Sequence, residues 1–126
     1  MTLASGSPII LVVEDESLVR QMSADELAEA GYQVLEAGNS QEAIAILESG
    51  VRIALLFTDV NMPGEPDGLE LARQVHDRWP RVRLLVTSGG ARTDPKDVPE
   101  DGRFISKPYS LRRLCSVVDE LVSAGA

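Results

Sequence analysis

The acidic, hydroxyl and lysine side chains that interrupt the apolar pattern of this chain do so at four comparable points. Glu14-Asp15-Glu16 closes the apolar run Ile9 to Val13, Asp59 closes the run Ile53 to Thr58, Thr87-Ser88 closes Val82 to Thr87, and Lys107 follows Arg103 to Ser106. If these runs are strands of one parallel sheet, their carboxyl ends form a single rim. Ligands of open α/β sheets bind at that rim, where the strand order reverses. Glu14, Asp15 and Asp59 gathered there would repel one another and raise at least one carboxylate pKa unless a cation sat among them. Mg²⁺ suits such a set, because it takes oxygen ligands, keeps waters and commonly combines one or two carboxylates with a substrate phosphate. Lys107 and the Thr87 hydroxyl are then the donors that a phosphoryl group requires.

The elements that must hold these residues alternate as short apolar runs and longer helical patterns, the sequence form of repeated βα units. Strands are expected at 9–13, 34–37, 53–58, 82–87 and 103–106, and Glu36 places the second at an edge of the sheet. A first helix over 17–30 is expected to be capped by Ser17, with Val19, Met22, Ser23, Leu27 and Ala30 inward, Glu26 at the stripe's edge and Gly31 as its stop. Further helices are expected at 41–49, behind Asn39 or Ser40; at 68–78, ending before Trp79-Pro80; and at 111–123, capped by Ser110. Between the fourth and fifth strands Pro95 and Pro99 bias their predecessors away from helix, so at most a short turn fits there.

Composition removes several function classes. The chain has 126 residues and 12 Lys plus Arg against 20 Asp plus Glu, a net charge of −8 that disfavours nucleic acid and anionic lipid. A hydrophobic fraction of 44% predicts one folded core. No apolar run approaches the ~20 residues of a membrane helix. Cys115 is the sole cysteine, so no intrachain disulfide forms and a reducing, cytoplasmic setting is expected. Residues 1–7 are expected to be a flexible tail and 8–124 one domain.

Val12-Val13-Glu14-Asp15-Glu16, Thr58-Asp59-Val60-Asn61-Met62-Pro63, Asp67-Gly68-Leu69-Glu70-Leu71, Val86-Thr87-Ser88 and Ile105-Ser106-Lys107-Pro108-Tyr109 together resemble the successive motifs of a response-regulator receiver domain. The resemblance implies an α/β, doubly wound, five-stranded parallel sheet of flavodoxin-like order 2-1-3-4-5, in which Pro95 and Pro99 leave the helix before the fifth strand short or missing. It also implies a stand-alone phosphoacceptor of a two-component relay, neither an enzyme nor a nucleic-acid or membrane binder, and a monomer or weak homodimer. Asp59 would accept a phosphoryl group from a histidine kinase or histidine phosphotransfer protein. Glu14, Asp15, Asp59 and the main-chain carbonyl of Asn61 would surround Mg²⁺, and Thr87 and Lys107 would bind phosphoryl oxygens. Thr87 and Phe104 would form the switch toward a downstream protein, and the Lys107-Pro108 peptide would be cis. The chain departs from the usual pattern in a longer stretch at 63–67, in Phe104 where tyrosine is frequent, and in the proline-rich segment.

Taken singly, these residues have plainer explanations. Glu16 and Asp67 are expected as helix caps, Thr87 and Ser88 alone would form turns, Lys107 alone would be a solvated charge, and Phe104 and Cys115 would be packing. His76 is expected to be exposed. Convergence at one rim separates Asp15 and Asp59 from that background. Two rival functions are an Asp-nucleophile, Mg²⁺-dependent phosphatase, which needs a second acid where Asn61 stands, and a pseudo-receiver that binds partners without phosphate.

Overall fold

The computed structural model describes residues 7–60, 67–89, 98 and 102–124. Its strands are β1 (Ile9–Val13), β2 (Gln33–Ala37), β3 (Leu55–Asp59), β4 (Arg83–Ser88) and β5 (Arg103–Ser106). They form one parallel sheet in the order β2-β1-β3-β4-β5, as the resemblance implies, with the Glu36-bearing strand at an edge. The described helices are α1 (Ser17–Glu29), α2 (Ser40–Glu48), α3 (Gly68–Arg78) and α4 (Leu111–Ala124). The expected tail at 1–6, the stretch 61–66 with Asn61, and most of the proline-rich segment lie outside the described residues.

Alternate residues of each strand face opposite sides, so the apolar runs supply two cores at once. Leu11, Val13, Leu56, Leu84 and Val86 pack with Ala43 and Leu47 of α2 and Leu71, Ala72 and Val75 of α3. Ile10, Val12, Leu55, Phe57, Leu85 and Ile105 pack with Leu27 of α1 and Leu114, Val117, Val118 and Leu121 of α4. Each of these side chains is buried, so the sheet is enclosed on both faces and its carboxyl rim is left as the place for polar chemistry.

Helix starts follow local rules with one exception. Asn39 accepts from Glu42 N–H at 2.8 Å, Asp67 from Glu70 N–H at 2.9 Å, and Ser110 Oγ from Arg113 N–H at 3.0 Å. Ser17 is the first helical residue of α1 and not its cap; Glu16 holds the cap position without a side-chain bond. The Glu16 N–H donates instead to Glu14 Oε2 at 3.0 Å, so the preceding strand's carboxylate replaces the local cap.

The packing face of α1 is also rotated from the expected stripe. Ser23, Ala24 and Leu27 are buried, whereas Met22 is 50% exposed and Leu18 69%. Leu27 packs with Leu114, Val117 and Val118 of α4, and Val19 and Met22 line a cavity with Pro108, Tyr109 and Leu111. His76 is half-buried, because α3 lies flat on the sheet.

Candidate functional site

Parallel register aligns the strand ends. Val13 pairs with Thr58 and with Ala37, Asp59 pairs with Thr87, and Ser88 pairs with Ser106. Glu14, Asp59, Thr87 and Lys107 are therefore carried to one rim from β1, β3, β4 and the residue after β5. Asp59 is 5% exposed and Glu14 is 7% exposed. Lys107 reaches both, with Nζ 2.5 Å from Asp59 Oδ2 and 4.0 Å from Glu14 Oε1. Its N–H donates to Ser88 O at 3.1 Å, and the Lys107-Pro108 peptide is cis, as expected.

The electrostatics of the cluster are unbalanced. Glu14, Asp15 and Asp59 bring three carboxylates to one ammonium, and Asp15 lies exposed beside Glu14. Burial, then the Asp15 side chain and the Asp59 charge, push Glu14 up from 4.5 to about 7, against the Glu16 N–H bond and the Lys107 charge. Burial alone would lower the Lys107 pKa, but the bond to Asp59 and the charges of Asp59 and Glu14 outweigh it and hold the ammonium above its ordinary value.

The proton on Glu14 has a measurable consequence. A carboxyl whose folded pKa exceeds its unfolded value contributes stability that is complete below the unfolded pKa and is lost as pH rises through the folded one. Without divalent cations, the native chain should therefore lose stability between pH 5 and 7.5 relative to Glu14→Gln, by about 1 to 3 kcal/mol. Urea unfolding of both proteins at the two pH values measures this, and parallel pH dependences would refute the assignment.

Thr87 is 2% exposed, and among the described residues its Oγ1 has no hydrogen-bond partner. A buried orphan hydroxyl is costly unless a further group satisfies it, and this one lies on the strand paired at Asp59. Among the described residues no group of three or more His, Cys, Asp and Glu side chains is placed so that it could hold a metal ion by itself. The donor set itself, all carboxylate oxygens around an excess of negative charge, fits a hard divalent cation.

Chain segments far apart in sequence meet here with little spare room. A Cβ built on Gly68 would lie 1.8 Å from the carbonyl oxygen of Asp59 and 2.9 Å from the Val60 Cα. Gly68 N–H donates to Val60 O at 3.2 Å, so α3 begins directly against the backbone that carries Asp59.

The model of the response regulator receiver domain family matches residues 10–119. The chain belongs to that family. This receiver domain is 33% identical over 118 residues to the response regulator receiver protein CpdR of Brucella abortus, covering 91% of this chain and 97% of CpdR. It is 36% identical over 122 residues to the sensor kinase CckA of the same organism, covering 94% of this chain and 13% of CckA. The receiver thus spans nearly all of one relative and about an eighth of the other. Among solved structures, the response regulator TrrA of Thermotoga maritima, in complex with Mg²⁺ and BeF, superposes with a TM-score of 0.78 at 28% identity, covering 90% of this chain and 98% of that one.

Of the residues singled out by sequence, Glu14, Asp59, Thr87 and Lys107 are brought together, and Asp15 stands at the margin beside Glu14. The Asn61 carbonyl lies outside the described residues. Phe104 is half-buried against the core under α2 and α3, in register with Val86, the neighbour of Thr87. Sequence reasoning missed Arg20 and treated Gly68 only as part of a motif. The sole advance signal for Gly68 was a glycine at a helix start already capped by Asp67, where its freedom is not needed for the cap.

Proposed function

We propose that this receiver domain takes a phosphoryl group from the phosphohistidine of a histidine kinase or phosphotransfer protein onto Asp59, and so switches its binding to a downstream protein. The observation that carries this reading is Asp59, 5% exposed at the rim, with Lys107 Nζ at 2.5 Å and the orphan hydroxyl of Thr87 on the paired strand. A carboxylate oxygen of Asp59 would attack phosphorus, the P–N bond to the donor imidazole would break, and the imidazole nitrogen would leave with the bonding pair and take up a proton. Lys107 would stay on the rim to neutralise a phosphoryl oxygen, and Thr87 would donate its unused O–H to another.

Glu14, Asp15 and Asp59, with the carbonyl of Asn61, would hold Mg²⁺, which supplies charge neutralisation for the transferred group. The Mg²⁺-bearing structure of TrrA supports that choice. On this reading the protein acts only on itself, in the cytoplasm, and is not a turnover enzyme. Among the described residues no helix is long and apolar enough to cross a membrane.

Phosphoryl oxygens at Asp59 would draw Thr87 toward them, and Phe104 would follow, a reading supported by its register with Val86, the neighbour of Thr87. Incubation with acetyl phosphate and Mg²⁺ tests the proposal. One equivalent of label per chain is expected, retained after desalting. Turnover of many equivalents of a phosphate ester would favour the phosphatase, and no labelling at all would favour a pseudo-receiver.

A further inference from the structure

A side chain from the helix that follows it reaches back to the turn that bears Glu14 and Asp15, which the Glu14 N–H also ties to Ala37 O. Arg20 Nη1 donates to the main-chain carbonyl of Glu14 at 2.8 Å, and Arg20 Nε donates to Glu36 Oε1 at 3.2 Å. The guanidinium thereby links the β1–α1 turn to the edge strand β2, whose Glu36 is in register with Val12. Gly38 leaves room for it, since a Cβ there would lie 3.3 Å from Nη1. The Gly38 N–H in turn donates to Glu42 Oε1 at 2.7 Å, which pins the chain on the other side of the guanidinium.

An exposed ion pair contributes only about 0–1 kcal/mol, so the Arg20–Glu36 bridge adds little as a stabiliser of the fold. Glu36 is 44% exposed, while the Arg20 side chain, 22% exposed, is the more enclosed partner. What a planar two-pronged donor does better than an ammonium is to fix two acceptors on two elements at a set distance. One of those acceptors belongs to the residue whose carboxylate faces Lys107 and Asp59.

We propose that Arg20 is a positioning residue for the cation site: by fixing the Glu14 carbonyl it sets the directions of the Glu14 and Asp15 carboxylates, and through them the affinity for Mg²⁺. The inference rests on the Mg²⁺ reading given above. Two effects of opposite sign meet in Arg20. As a bare positive charge it would weaken cation binding, but Glu36 neutralises it and solvent screens exposed charges over ~8 Å. As an outer partner of a ligand residue it would strengthen binding, and removal of such partners typically costs about 10–100-fold in metal affinity. Positioning is therefore expected to dominate.

The experiment titrates MgCl₂ into the full chain by calorimetry for wild type, Arg20→Ala and Arg20→Lys, with thermal unfolding and amide exchange of residues 14–17 in the metal-free proteins. Arg20→Ala should bind Mg²⁺ about 10–100-fold more weakly and exchange the Glu16 N–H faster, while its melting midpoint falls by no more than about 8 °C. Arg20→Lys keeps the charge but presents no fork, and should lose most of the same affinity. Equal or tighter binding by Arg20→Ala would overturn the proposal, and so would full affinity in Arg20→Lys, which would show that a fork fixing two acceptors at a set distance is not what the site requires. If the wild type takes up no Mg²⁺, the metal reading falls and the affinity claim with it. The exchange data still decide separately whether Arg20 holds the turn, and unchanged exchange in Arg20→Ala would show that it does not.

Discussion

Asp59→Asn should reduce Mg²⁺-dependent labelling by acetyl phosphate to background, with loss of the hydroxylamine-labile acyl phosphate. The substitution keeps the size of the side chain and a carbonyl oxygen for Lys107, so the rim should retain its shape. It removes the anionic oxygen that attacks phosphorus. Glu14 is the nearest substitute, because Lys107 Nζ lies 4.0 Å from its Oε1. Its other oxygen is engaged by the Glu16 N–H, which blunts it as a nucleophile. Mass spectrometry of the labelled wild type and mutant gives the site directly. Label persisting on another carboxylate of the mutant would sink the assignment of Asp59, whatever the behaviour of the metal.

Gly68→Ala is expected to cost the fold about 3 kcal/mol or more. Alanine is normally the better helix former by up to about 1 kcal/mol, so propensity alone predicts a small gain. The added Cβ, however, would stand 1.8 Å from the Asp59 carbonyl oxygen, and the obstacle is backbone that cannot rotate away. Either α3 withdraws from the sheet, opening the packing of Leu71, Ala72 and Val75, or the end of β3 yields and carries Asp59 out of line with Lys107. The two responses separate in measurement. Urea unfolding reports the destabilisation, and the labelling rate at saturating Mg²⁺ reports the displacement of Asp59 in whatever fraction remains folded. A mutant with wild-type stability and rate would show that the close approach is easily relieved.

Much of the architecture was legible in the linear order of residues. Short apolar runs separated by helical periods, with an acidic residue in the second run alone, specify a parallel sheet enclosed on both faces with β2 outermost. Caps such as Asn39, Asp67 and Ser110 were visible because their bonds span three residues, a distance that sequence displays directly. The α1 start was misjudged even though its bond is short in sequence: the Glu16 N–H donates to Glu14 two residues earlier, and what fixes Glu14 is a contact between strands, its own N–H on Ala37 O at 3.1 Å. The exposure of Met22 was hidden as well, since the buried face of α1 is the one where Leu27 meets Leu114, Val117 and Val118 of α4, residues more than eighty positions away.

The site divides along the same line. Residue types at the ends of four apolar runs were enough to nominate Glu14, Asp15, Asp59, Thr87 and Lys107, because parallel strands must present their carboxyl ends together. By itself the sequence determined the sheet, its edge and the chemistry available at its rim. Only the tertiary structure decided that Lys107 reaches Asp59 across 48 positions, that the Thr87 hydroxyl is left without a partner among the described residues, that Gly68 leaves no space for a side chain, and that Arg20 grips the Glu14 carbonyl. Those are distances between separate elements, and they depend on how side chains of particular volume settle against one another, a quantity that no local pattern along a chain encodes.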